Sequence, residues 1–197
     1  MRWTIRTLVV IVILGVAYAS WPFFALHGLV GAVQTRDIHA VAQRVNFPAV
    51  RQSLTEQIVE TYLRLTGKDA RLGQFGRGMA VSALTSIADP VVAQLISAEA
   101  LVELLNSGWP TTVLPDRIAG VQGLGADALG SAWNVFVHSQ QGLRRFEIAV
   151  PAAAPPGHQF TLQFRLTSWM WKLSGVALPE QLRIRLAQEL IRRFDKK

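Results

Sequence analysis

The chain has 197 residues, half of them apolar, a net charge of +7 and no cysteine. That length fits one domain with a short appendage. The missing thiol excludes disulfides, thiolate zinc sites, a cysteine nucleophile and a lipoprotein anchor cysteine, but says nothing by itself about compartment.

The first element is a membrane or export segment. Arg2 and Arg6 form a basic start, and residues 8–26 follow as an uncharged apolar run of 19 residues. As a helix this run is about 28 Å long, close to a hydrocarbon core of about 30 Å. Trp21, Phe23 and Phe24 stand at its far end, where aromatic residues gather at a membrane interface. Arginines before the run and none after it until Arg36 predict an N-in, C-out orientation. A second reading competes: Ala17-Tyr18-Ala19 before Ser20 is a small-x-small cleavage pattern, and residues 8–16 match a signal-peptide apolar region. Both readings export the remainder, which carries +5 once the two arginines are taken from +7. Export makes nucleic acid an unsuitable partner for that charge and leaves anionic lipid or a solvated surface.

A helical half comes next. Trp21-Pro22 is read as starting or kinking a helix through Val33. Asp37 is placed to cap a short helix to Val45, and Asn46 a longer one with Phe47 and Pro48 in its first turn and Gly67 as its stop. Val50, Leu54, Ile58, Tyr62 and Leu65 recur at helical spacing within it. Further helical stretches are read over residues 75–88, from Asp89-Pro90 towards Ile96, and after Ser97 to Asn106-Ser107-Gly108. Residues 109–131 hold two prolines and four glycines and read as a long loop, a length that usually marks function or mobility.

From Trp133 the apolar period becomes two. Residues 133–138 form a first strand, Gln140-Gln141-Gly142 a hairpin turn, and Arg144, Phe146, Ile148 and Val150 mark a second strand. Phe160, Leu162, Phe164 and Leu166 alternate with polar residues on a third. Thr167-Ser168 turns into a fourth over residues 169–178, with a bulge at Gly175. The last element is a helix over residues 179–194 bearing Leu182, Leu186 and Leu190. The expected fold class is therefore α+β: an N-terminal transmembrane or signal helix (residues 1–26), then one exported domain (27–197). In that domain a helical half packs on a four-stranded antiparallel meander, followed by a C-terminal helix. A cone of the NTF2/cystatin-like kind is compatible with this order, an analogy of fold alone.

Two stretches carry a family resemblance. One runs from Trp21-Pro22-Phe23-Phe24 through Arg36-Asp37 to Val45-Asn46-Phe47-Pro48-Ala49-Val50-Arg51-Gln52-Ser53-Leu54. The other runs from Phe164-Arg165-Leu166 through Trp171-Lys172-Leu173 to Val176-Ala177-Leu178-Pro179. They resemble the bacterial DUF2939 family, whose members show a WPY-like start, an RD-type helix cap, a VDWPAVRxSL block and a closing W-K-L strand. Here Asn46 and Phe47 replace the block's usual aspartate and tryptophan. The resemblance frames residues 21–179 and implies a short exported or membrane-anchored protein of Gram-negative bacteria. It implies no activity, and no catalytic residue can be carried over.

His27, His39, His138 and His158 form no H-x-x-x-H or H-E-x-x-H spacing, so no zinc site is legible. No G-x-S-x-G elbow occurs. Gly73 to Gly78 is glycine-rich but lacks a preceding strand and a P-loop lysine. Glu56 and Glu60 lie one helical turn apart, a spacing that suits an acid–base pair but is commoner for two solvated carboxylates. No catalytic, cofactor-binding or metal-ligating residue is therefore assigned, and no cofactor is expected. Phe146, Phe164, Trp169, Trp171 and His138 are the candidates for a pocket or interaction surface, with an ordinary strand core as the plainer account. Arg192, Arg193, Lys196 and Lys197 are the candidates for contact with anionic lipid, against a solvated basic helix end.

The expected function is a non-enzymatic envelope protein. An N-in anchor in the inner membrane presents a periplasmic interaction or ligand-binding domain, or the domain is released to the periplasm by cleavage after Ala19. Its partners are then the membrane, an envelope protein or an apolar ligand. The rivals are a lipid or apolar-ligand carrier with an enclosed cavity, and an NTF2-like hydrolase or isomerase needing acid–base groups inside one.

Overall fold

A computed structural model describes residues 2–67, 97–110, 114, 123, 139–151, 154–155 and 157–195. The expected helices over 75–88 and 90–96, the glycine-rich segment at 73–78, the strand over 133–138 and most of the long loop lie outside the described residues. Among those described, the order is α1 (Arg2–Gln34), α2 (Ile38–Arg44), α3 (Phe47–Leu65), α4 (Ala98–Ser107), β1 (Ser139–Gln141), β2 (Arg145–Val150), β3 (Phe160–Thr167), β4 (Met170–Ala177) and α5 (Glu180–Asp195). The fold is α+β, as expected.

The first helix differs from expectation in one respect. Trp21-Pro22 does not start it; Pro22 lies inside a continuous helix of 33 residues. Proline there removes the bond to the Tyr18 carbonyl and crowds that carbonyl with its ring, and packing holds the helix together beyond it. Leu26, Leu29, Val30 and Val33, at helical spacing, are all buried in the core. By contrast residues 8–16 are apolar and exposed along their whole length. One helix thus has a free apolar half and a half that belongs to the domain, and the expected division near residue 26 falls within it.

The two short polar caps act as the sequence suggests. Asp37 accepts a hydrogen bond from the Ala40 amide at 2.9 Å, and Asn46 one from the Ala49 amide at 3.4 Å. Replacing Asn46 by alanine removes the cap of α3 and is expected to cost about 1 kcal/mol, measurable as a shift of the urea midpoint in detergent. Asn46 has a second task. Its backbone N–H donates to the Leu173 carbonyl at 2.8 Å, and Val45 forms a single parallel bridge with Leu173. The α2–α3 junction thereby occupies part of the outer edge of β4, which an open sheet must cover or blunt.

The sheet is an antiparallel meander in the order β1-β2-β3-β4. Gln140 and Gln141 pair with Glu147 and Phe146, so they belong to β1 and not to the turn. The turn is Leu143-Arg144, closed by Gly142 N–H donating to Arg145 O at 2.7 Å. The second tight turn is Ser168-Trp169, so β4 begins at Met170 rather than Trp169. The bulge occurs where expected: Gln163 pairs with Gly175 but Phe164 with Leu173, leaving Ser174 as the extra residue. Phe146, Ile148, Phe160, Leu162, Phe164, Trp171, Leu173 and Val176 are buried, all on one face of this sheet.

Helix α3 packs on β4 and α5 packs on α3. Leu182, Leu186 and Leu190 give α5 its buried stripe. The α3–β4 contact is tied by Gln57. Its amide nitrogen donates to Val176 O at 2.9 Å and its amide oxygen accepts from Leu178 N–H at 3.0 Å. Helix α4 ends at Gly108, whose φ of 75° suits glycine. Gly123 then approaches the backbone of Asn106 and Gly108 so closely that a side chain would have no room. Trp109 is buried and donates from Nε1 to Leu114 O at 2.8 Å. The described residues of the 109–131 segment are therefore packed against the body.

Candidate functional site

The described residues hold a cleft of about 390 Å³ between α1 and one end of the sheet. Tyr18, Ala19 and Pro22 of α1 form one wall. Gly142 and Leu143 of the β1–β2 turn form another, and Phe146 and Trp171 the floor. The lining is chiefly apolar. Helical spacing brings Tyr18 and Pro22 to the same side of α1, one turn apart. The two-residue period of the strands then turns Phe146 and Trp171 towards them.

Two contacts fasten the cleft. The Tyr18 hydroxyl donates to the Leu143 carbonyl across 125 residues of chain. Phe23, one residue beyond Pro22, meets Phe146 edge-to-face with centroids 5.1 Å apart, a favoured aromatic geometry. Behind it Phe164 packs on Phe146 at 5.9 Å and is itself buried. Nε1 of Trp171 is buried and has no hydrogen-bond partner among the described residues. Such a donor is normally satisfied; the cleft itself suits an apolar body.

The candidates from the sequence separate in space. Phe146 and Trp171 do line the cleft, and Phe164 supports it from the core. Trp169 is elsewhere, at the tip of the β3–β4 turn and 84% exposed. His138 lies outside the described residues. Arg192 is exposed and pairs with Glu189 at 3.5 Å on the same helix. The Arg193 side chain, Lys196 and Lys197 lie outside the described residues. Glu56 is exposed and bound by Gln52 at 2.9 Å, and Glu60 is exposed one turn away, so they form no acid–base pair within a cavity. Among the described residues no group of three His, Asp or Glu side chains is gathered as a metal ion would require.

The sequence reading missed the α1 wall and Leu143. Tyr18, Ala19 and Pro22 were hidden in an apolar run whose composition has a sufficient explanation in the membrane. Leu143 was hidden because the turn is read from the sequence at residues 140–142; only the strand register puts this large apolar residue in the turn, where polar residues and glycine are the rule.

The family model described as "Protein of unknown function (DUF2939)" matches residues 11–104. This is the family that the sequence resembles. The match runs from the middle of the free half of α1 to Leu104 in α4. No curated protein and no solved structure matches the chain.

Proposed function

We propose that the chain is a single-pass inner-membrane protein whose N-terminus lies inside and whose α+β domain stands in the periplasm as a non-enzymatic interaction or ligand-binding module. The observation that carries this reading is α1. Its free half is long and apolar enough, with the turns that follow, to enter a membrane, while its other half is buried in the domain. Arginines on its N-terminal side favour the N-in orientation. The same helix speaks against cleavage after Ala19. That peptide lies mid-helix, beside the Tyr18–Leu143 hydrogen bond and the buried Pro22, contacts that cleavage would take from the domain.

The cleft supports a second reading, a carrier of an apolar ligand. An acid–base enzyme finds less support, because the described lining offers no carboxylate or imidazole.

Mass spectrometry of the protein from membranes tests the anchor. A mass that includes Met1 or begins at Arg2 is expected, and a species beginning at Ser20 overturns it. Protease added to spheroplasts should digest the domain while intact cells protect it; protection in spheroplasts sinks the orientation. Organic extraction of the purified protein should release an apolar compound if the carrier reading holds.

A further inference from the structure

We propose that the two hairpin turns at the α1 end of the sheet form a second membrane contact. In it Leu143, Trp169 and Met170 enter the outer interface of the bilayer, and Arg145, Arg165 and Lys172 behind them bind anionic phospholipid headgroups. This rests on the anchored reading of α1 and adds to it how the domain meets the lipid.

Strand register puts both turns at one end. Arg145 opposes Arg165, and the Arg144 carbonyl accepts from Leu166 N–H at 3.1 Å, so Leu143 lies beside the point where β3 enters the Ser168-Trp169 turn. The Tyr18–Leu143 bond places the same end against α1 where the helix leaves the domain. Leu143 is 82% exposed, Trp169 84% and Met170 53%. Trp21 and Phe24 are exposed on α1 nearby in sequence. Packing among the described residues accounts for none of these side chains. Backbone preference does not account for Trp169 either: Ser168 and Trp169 have φ of 50° and 63°, a turn in which glycine, asparagine and aspartate are favoured.

Length gives an independent reason. Between Arg6 and Tyr18, residues 7–17 stand clear of the sheet as 11 helical residues. They span about 16 Å, roughly half of a hydrocarbon core about 30 Å thick. A span that short draws the outer interface of the bilayer up to the end of the domain, where Tyr18 meets the Leu143 turn.

Charge completes the pattern. Arg145, Arg165 and Lys172 oppose one another across three strands on the face away from the core. Like charges placed directly opposite disfavour strand pairing, and Glu147, 3.8 Å from Arg145, answers one of them. A layer of lipid phosphates answers the row, and apolar tips backed by cations are the arrangement of an interfacial anchor.

The absence of cysteine makes the test direct. Single spin labels are attached to full-length Leu14→Cys, Leu143→Cys, Trp169→Cys and Glu60→Cys in bilayers of phosphatidylethanolamine and phosphatidylglycerol. Labels at 14, 143 and 169 should show several-fold lower accessibility to a water-soluble nickel complex than the label at 60. If 14 is protected while 143 and 169 match 60, the turns do not touch lipid and this proposal fails with the anchor intact. If 14 is also accessible, the anchored reading fails and carries this one with it. Combining Trp169→Cys with Arg165→Gln and Lys172→Gln should lose the added protection that anionic bilayers give over phosphatidylcholine. Retention of that difference overturns the headgroup assignment.

Discussion

Phe146→Ala is expected to lower the stability of the domain by about 3–5 kcal/mol, the range for deleting a buried aromatic ring. Phe146 is fully buried in β2 and touches two rings, Phe23 on α1 and Phe164 on β3. Its loss leaves a void at the floor of the cleft and removes the edge-to-face contact that seats α1 on the sheet. Urea unfolding in detergent, followed by tryptophan fluorescence, measures the first effect. Limited proteolysis measures the second: cutting within residues 18–34 should become faster than in the parent protein. A loss below about 1 kcal/mol would mean that the site collapses without a cavity and that the ring is not the seat of the helix.

The second large effect belongs to a polar residue. Gln57→Leu keeps the size of the side chain but deserts the Val176 carbonyl and the Leu178 amide at the end of β4. Both bonds are partly buried, and each orphaned group costs about 1–3 kcal/mol. The expected loss is about 2–4 kcal/mol by the same unfolding measurement. Glu56→Ala, on the exposed side of the same helix, is the control and should change stability by no more than about 0.5 kcal/mol. Equal effects of the two substitutions would show that Gln57 acts through helix propensity and not through the sheet.

These two residues illustrate what was and was not legible. Phe146 stands in a clean period-two strand, so its burial follows from sequence. Its partner Phe23 comes from an apolar run that the membrane alone explains, so their meeting does not. Gln57 stands between apolar positions on an amphipathic helix and reads there as surface. The strand end that makes it structural is about 120 residues away in the chain. Trp169 shows the converse. As the residue after a turn it need not be buried and is a candidate pocket residue, but the structure puts it in the turn itself, exposed at the tip.

The sequence alone determined the basic start, the apolar run, the two polar helix caps, the α+β order and the sheet's inward face. Each follows from local composition or from periods of two and 3.6 residues, and needs no partner from afar. Only the tertiary structure decided that the apolar run and the first domain helix are one rod. It alone joined Tyr18 to Leu143, and it brought both hairpin turns and a row of three cations to the place where that rod leaves the domain. Those features depend on strand register and on contacts across more than a hundred residues, which no local pattern encodes.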